Sequence, residues 1–531
     1  MRLQKPQSKL LRPLLLVAAT AALAFGMASE ASAQRKGSGF GTGPRYTPPS
    51  PSVRPPTGPR PHGPQYPGPR DRGPNWGGVV GGAAVGVIIG AAIANANQPP
   101  PPPPARFSPP PQRPRGNINI PPASERRFVP NEVVLEFAGN YSPQAIAALA
   151  ARHRLARIDS VSFGLTNSTY FHGRISDGRP VRDVLRGLGG EATLRAGQPN
   201  YLYSFVQARP GTASSPAATF APPPPQTPAA TPVVASSGAM SAGGDPAQYT
   251  LTKLRLSEAH GLTRGDNVLV AVIDSGIDAG HPELAGVIAG TFDALDSSEK
   301  PHTHGTAIAG AIAARSRLMG VAPAARILAI RAFGASGNTA SGTSFAILKS
   351  LEYAVAQNAR VINMSFAGPA DPAMARHLTL ARGKGIVLIA AAGNFGPKSP
   401  AQYPAADPNV IAVSATDAED KLFTASNRGN HIAIAAPGVD ILLPAPEANY
   451  QVTSGTSFAA AHVSGIAALI LERRPGLSPD NVRRILQISA RDLGPRGKDD
   501  QYGAGLADAY QAILALEPRT ATAPRPATAA R

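Results

Sequence analysis

The sequence predicts an α/β protein whose larger part, over 245–517, is a mostly parallel sheet covered by helices on both faces. Two observations carry that reading. The runs VLVAVID, RILAIRAF, VINMSF, GIVLIAAA, VIAVSA and HIAIAAPG alternate with stretches of helical periodicity, and strands that alternate with helices build parallel sheets. The runs are apolar almost throughout, as strands buried on both faces must be. A third observation adds a smaller part upstream: between Arg127 and Val206 the order is strand, helix, strand, strand, helix, strand.

The elements of the small part follow in order. EVVLEF (132–137) alternates like a half-buried strand. YSPQAIAALAARHRL (141–155) offers Ser142 as N-cap and Pro143 at the first helical position, with Ile146, Leu149 and Leu155 toward one face. Strand-like runs over 157–163 and 168–175 come next. GRPVRDVLRGLGG (178–190) reads as a second helix with Val181, Val184, Leu185 and Leu188 inward, and NYLYSFV (200–206) closes as a strand. The β-α-β-β-α-β order is that of a ferredoxin-like α+β domain.

The rest of the 531 residues divides into an export signal, Pro-rich tracts and a tail. The chain holds 57 Pro and 54 Gly, and the prolines concentrate outside the two domains, marking linkers. Residues 1–33 read as an export signal: Arg2, Lys5, Lys9 and Arg12 precede an apolar run from Leu14 to Phe25 and an Ala31-Ser32-Ala33 cleavage pattern. The tract 34–126 is Pro/Gly-rich and basic. Within it, 77–96 is apolar and carries Gly78, Gly82, Gly86 and Gly90, a spacing that suits either membrane association or self-association through close helix packing. Residues 207–244 read as a Pro/Ala/Ser linker and 518–531 as a tail.

The net charge is +18, but 34–115 holds ten Lys and Arg against one acid, whereas 245–517 holds 23 against 24. The basic excess sits in tails, so nucleic acid is not expected as a partner. There is no cysteine, which excludes disulfide scaffolds, thiolate metal sites and cysteine nucleophiles.

Functional groups in open α/β sheets collect at the carboxyl ends of strands and the adjoining helix starts. Three residues fit. Asp274 ends VLVAVID, His304 opens the small-residue helix HTHGTAIAGAIAA, and Ser457 opens another in GTSFAAAHVSG. Each alone is an ordinary cap or structural residue. Together they supply an orienting carboxylate, a base and a nucleophile.

The ordered segments AVIDSGID, HGTAIAG, VINMSFAG, AAAGNFG and GTSFAAAHVSG resemble the successive motifs of the subtilisin-like (subtilase) serine peptidases, across nearly all of 246–517. The small domain resembles that family's propeptide, a folding chaperone and autoinhibitor. The resemblance implies a subtilisin-like three-layer fold. It implies Ser457 as nucleophile, His304 as general base and Asp274 as its orienting partner. Asn394 would donate its amide to the oxyanion beside the Ser457 N–H at a helix N-terminus. The Gly-Thr that follows selects His304 over His302. Ser365, Phe366, Ala367 and Gly368 match the family's substrate-binding edge, where an extended peptide adds as a strand.

Two departures are visible. Ala461 stands where the family usually has proline, and alanine regains a backbone donor there. The segment AARSRLMGVAPAA (313–325) is shorter than the calcium-carrying loop of many relatives and places Arg315 and Arg317 where a cation needs oxygen. A calcium site is not expected at that loop, other calcium sites stay open, and catalysis needs no cofactor. The sequence therefore reads as an exported endopeptidase, extracellular, periplasmic or on the cell surface. It would be made as an autoinhibited precursor that acts on proteins or peptides. Two alternatives stand: a basic Pro-rich surface protein whose peptidase mainly processes itself, and an inactive subtilase-fold binding module.

Overall fold

The structure, a computed structural model, describes residues 117–139, 141–205, 243–336 and 339–517. The export signal at 1–33, the tract 34–116 with its glycine repeat at 77–96, residues 206–242 and the tail 518–531 lie outside the described residues.

The first elements are β1 (Asn117–Ile118), β2 (Phe128–Ala138), α1 (Pro143–Arg152), β3 (Leu155–Phe163), β4 (Ser168–Ile175), α2 (Val181–Leu188) and β5 (Leu194–Ser204). The four long strands lie antiparallel in the order β3-β4-β2-β5, with β1 parallel to β5. Val133, Leu135 and Phe137 of β2 pack against Ile146 and Leu149 of α1 and Val184, Leu185 and Leu188 of α2. The Ser142 hydroxyl accepts the Ala145 N–H at 3.2 Å, capping α1. Leu155 does not belong to that helix. The chain leaves it at His153, Arg154 takes a left-handed φ of 53°, and Leu155 opens β3 instead. The closing strand begins at Leu194, earlier than the apolar pattern indicates, because buried Gln198 and Asn200 face helix starts and not the core.

The large domain continues with α3 (Thr250–Lys253), α4 (Leu256–His260), β6 (Leu269–Asp274), β7 (Ile288–Asp293), α5 (Thr303–Ala313), β8 (Arg326–Arg331), β9 (Phe333–Ser336) and β10 (Thr339–Thr343). Then come α6 (Ser344–Ala356), β11 (Val361–Met364), α7 (Pro372–Gly383), β12 (Val387–Ala391), β13 (Ile411–Thr416) and β14 (Ile432–Pro437). The hairpin β15 (Ile441–Ala445) and β16 (Asn449–Thr453) leads into α8 (Thr456–Arg473), α9 (Pro479–Ile488) and α10 (Ala509–Leu514).

Seven strands form one sheet in the order β14-β13-β12-β11-β6-β8-β7, every pair parallel. Alternation along β6 shows the two covered faces. Val270 and Val272 pack with Ile308 and Ile312 of α5 and with Val463 and Ile466 of α8, whereas Ala271 and Ile273 pack with Phe345 and Leu348 of α6 and with Met374 and Leu378 of α7. Two cores on either side of one sheet make three layers.

The segment FGASGNTASGT (333–343) carries no strand signature in sequence. It nevertheless forms β9 and β10, because β5 offers β10 an antiparallel edge with Ser341 opposite Ser204, Gly342 opposite Tyr203 and Thr343 opposite Leu202. The pairing continues the small-domain sheet onto the large domain. The start of α6 meets Asn200, whose Oδ1 accepts the Phe345 N–H at 3.1 Å, and the start of α7 meets Gln198, whose Oε1 accepts the Ala373 N–H at 3.1 Å. These amides satisfy helix-terminal N–H groups that otherwise lack partners.

The short loop after α5 turns on Glu283. Its buried carboxylate accepts the N–H groups of Ser316, Arg317 and Leu318 at 2.9–3.0 Å and the Tyr450 hydroxyl at 2.9 Å. Arg317 pairs with Asp245 at 2.9 Å, and the Arg315 guanidinium donates to Ala285 O. Backbone donors thus occupy the carboxylate lone pairs here.

Candidate active site

Asp274 is the last residue of β6 and is fully buried. Its Oδ1 accepts the Ser275 N–H at 2.8 Å and the Ser275 hydroxyl at 3.1 Å. His304 lies in the first turn of α5, and its Nδ1–H donates to Asp274 at 2.8 Å from Oδ1 and 3.0 Å from Oδ2. That bond places the proton on Nδ1 and leaves Nε2 as the basic nitrogen. Gly305 must follow, because a Cβ there would come within 2.6 Å of the Ser275 carbonyl. The other histidine has a different task. His302 is the N-cap of α5, its Nδ1 accepting the His304 N–H at 3.2 Å, and burial followed by the neighbouring His304 holds its pKa below the usual histidine value.

Ser457 is the second residue of α8 and is buried, its Oγ donating to Ser365 O at 3.3 Å. In return the Ser365 hydroxyl donates to Ser457 O at 3.1 Å and accepts from Asn363 Nδ2 at 2.9 Å. Phe458, next along the helix, has its ring 5.8 Å from the His304 imidazole. The helix that Ser457 opens thus meets His304 through its next residue, and its N-terminal N–H groups favour developing negative charge.

Asn394 follows β12, and its Oδ1 accepts both the Thr456 N–H at 3.0 Å and the Thr456 hydroxyl at 2.8 Å. Thr456 Oγ1 also accepts the Gly393 N–H at 3.1 Å. This clamp fixes the carbonyl end of the amide and so assigns Nδ2 as the donor end. The sequence reading did not find Thr456 or Asn363. Their only signal is adjacency to Ser457 and Ser365.

The matched edge residues divide by task. Ala367 exchanges both backbone hydrogen bonds with Ser204 at 3.1 Å each. Gly368 pairs with Tyr403, and Phe366 and Gly368 flank the buried Tyr203 ring. Ser365 serves Ser457 as above. Phe205, the last described residue of the small domain's exit strand, stacks on the His304 imidazole with ring centroids 4.1 Å apart. Among the described residues no group of three His, Asp or Glu side chains is placed to hold a metal ion. The arrangement provides an oriented base, a hydroxyl at a helix start, a fixed amide donor and two strand edges, the parts of an acyl-transfer site for extended peptides.

Asn394→Ala is expected to lower kcat by roughly 10²–10³ with KM little changed, the loss that removal of one oxyanion donor brings. Steady-state kinetics on one peptide substrate checks it, and a normal kcat with raised KM would make Asn394 a substrate-binding residue instead.

His462 sits behind the site on α8, fully buried, its Nδ1–H donating to Pro437 O at 2.8 Å. Burial, partly offset by the Pro437 carbonyl, pulls its pKa from 6.5 to about 4. The folded value lies below the unfolded one, so stability is whole above about pH 6.5 and declines as pH falls to about 4, by on the order of 3 kcal/mol. Tm followed from pH 8 to 4 should fall less for His462→Asn than for the parent. Equal falls would remove His462 from the acid response.

The model described as the subtilase family matches residues 265–505. Thermitase of Thermoactinomyces vulgaris is 35% identical over 274 residues, 50% of this chain and 95% of thermitase. Subtilisin E of Bacillus subtilis is 38% identical over 271 residues, 49% of this chain and 69% of the relative. Among solved structures, fervidolysin from Fervidobacterium pennivorans, described as a keratinolytic enzyme related to subtilisin, superposes with a TM-score of 0.62 at 23% identity. The match covers 77% of this chain and 64% of that one.

Proposed function

The chain belongs to the subtilase family of serine peptidases, and from that premise we propose that it is an exported endopeptidase made as an autoinhibited precursor. Asp274, His304 and Ser457 form its triad in this reading, and Asn394 and the Ser457 N–H receive the oxyanion. Ser457 Oγ attacks the carbonyl carbon of a bound peptide while His304 Nε2 takes its proton. His304 passes that proton to the leaving amine, and water then releases the acyl group. Each of these groups belongs to the chain itself, so the reading calls for no cofactor.

One observation carries the autoinhibited part. The strand leaving the small domain lies in the cleft as a substrate would, laddered to Ala367 on one side and to Ser341 on the other, with Phe205 covering His304. Substrates that bind as added strands are read mainly through their backbone, which suits protein substrates of varied sequence. The charged, apolar and A-x-A segments of 1–33 support export.

The test is to incubate the purified full-length chain with unfolded casein, with and without EDTA. Hydrolysis should begin after a lag, accelerate as the small domain is degraded, and reach the same rate with chelator present. Full activity from the first minute would sink autoinhibition. No hydrolysis after the small domain is gone would sink the peptidase reading itself.

A further inference from the structure

We infer that this peptidase favours substrates with an aromatic ring in the place of Phe205, that Phe333 is the residue that reads it, and that the ring assists the reaction by stacking on His304; the inference rests on the peptidase reading above.

The walls of that place come from the large domain. Phe205 is 4% exposed and has three rings around it, with His304 at 4.1 Å and Phe333 at 4.7 Å between centroids, both stacked, and His302 at 6.0 Å. The interplanar angles are 17° to His304 and 29° to Phe333, so the space is flat. An aromatic ring fills such space face to face, whereas a branched aliphatic chain leaves part of both ring faces without contact.

Phe333 is itself held in place. The residue before it, Ala332, donates its N–H to Asp274 O at 2.8 Å. A Cβ at Gly342 would come 2.9 Å from the Phe333 ring, so the ring lies close over that strand, and Phe366 packs against it at 5.0 Å. None of these supports belongs to the small domain, so the wall stays when the exit strand gives way to a substrate. The register is set two residues earlier. Tyr203 shares a strand face with Phe205, and its buried ring lies edge-on to Phe366 at 5.8 Å with the hydroxyl 3.2 Å from Pro369 O. The rings of Tyr203, Phe366, Phe333, Phe205 and His304 thus form one continuous run.

Stacking on His304 bears on rate as well as on binding. In the proposed mechanism His304 Nε2 takes the Ser457 proton, and the imidazole becomes a cation as the bond to the substrate carbonyl forms. An aromatic face attracts a cation in stacking range more strongly than it attracts a neutral ring. An interaction that strengthens in the transition state raises kcat. The ring in the place of Phe205 should therefore act on kcat and not only on KM.

Steady-state kinetics of the full-length chain, taken after its lag, tests this. The peptides carry Tyr-Ser-X upstream of the cut bond, X being phenylalanine, leucine or alanine, with each cut mapped by mass. Phenylalanine should exceed alanine in kcat/KM by at least about tenfold and leucine by about threefold, with part of the gain in kcat. Phe333→Leu should narrow the phenylalanine-to-alanine ratio by about threefold or more. Leucine or alanine peptides cut as well as the phenylalanine peptide overturn the inference and leave the peptidase reading standing. Casein hydrolysis with none of the three peptides cut does the same. An unchanged ratio in a folded Phe333→Leu chain removes Phe333 as the reader, and a gain confined to KM removes the assistance through His304. Should Phe333→Leu fail to fold, the peptide series on the parent still decides. A chain that cuts neither these peptides nor casein overturns both readings.

Discussion

Ser457→Ala is expected to lower kcat on any peptide substrate by about 10⁶ and to leave the precursor uncut. The size follows from the loss of the proposed nucleophile; Ser365 spends its hydroxyl between Asn363 and the Ser457 carbonyl, and Ser275 spends its own on Asp274. Alanine is a good residue in the first turn of a helix and the site is already lined by small side chains, so the fold should survive. The variant should therefore keep the parent's circular dichroism and Tm while losing chemistry. Residual hydrolysis above that of water alone is expected, because the oxyanion donors and the strand edges remain. Kinetics on purified protein, free of host protease, with the precursor followed by gel, checks both halves. Full activity in this variant would end the triad assignment.

Six of the seven strands of the large sheet were legible because they are largely buried and read as apolar runs; the edge strand β7, none of whose residues is buried, was not. Asp274, His304 and Ser457 were legible because strand ends and helix starts are visible as changes of period and of residue size. What stayed hidden depends on partners distant in sequence. FGASGNTASGT has no strand character of its own and becomes β9 and β10 only where β5 lies beside it. Gln198 and Asn200 interrupt the apolar pattern of β5, and their reason lies at the starts of α7 and α6, more than 140 residues away. Thr456 looks like a spacer before the nucleophile, yet its N–H and hydroxyl fix which way the Asn394 amide points. Glu283 gives no sign in sequence that three backbone N–H groups of 316–318 converge on it. Local periodicity reports burial, whereas these contacts report chain geometry, which period alone does not encode.

Asp274→Asn is expected to cost about 10⁴ in kcat at neutral pH with KM and Tm near those of the parent. The argument runs through one proton. In the parent, both carboxylate oxygens are acceptors toward His304 Nδ1, at 2.8 and 3.0 Å, so Nδ1 carries the hydrogen and Nε2 is the base. Asparagine has one acceptor and one donor end. Ser275 presents an N–H at 2.8 Å and a hydroxyl at 3.1 Å to Oδ1, which draws the amide carbonyl to that side and turns the NH₂ group toward His304. An NH₂ donor there requires an unprotonated Nδ1, which moves the imidazole hydrogen to Nε2 and leaves the proposed triad without a base for Ser457. Buried Asp274 also loses the negative charge that stabilises imidazolium in the transition state. The loss should fall on the acylation of Ser457 and not on substrate capture, so single-turnover acylation should slow by the same factor as kcat. Asp274→Ala separates tautomer from charge. It removes the carboxylate without imposing a donor, and should retain more activity than Asp274→Asn if the wrong tautomer dominates. Equal loss in the two variants would place the effect on charge alone, and normal acylation in Asp274→Asn would remove Asp274 from the catalytic set.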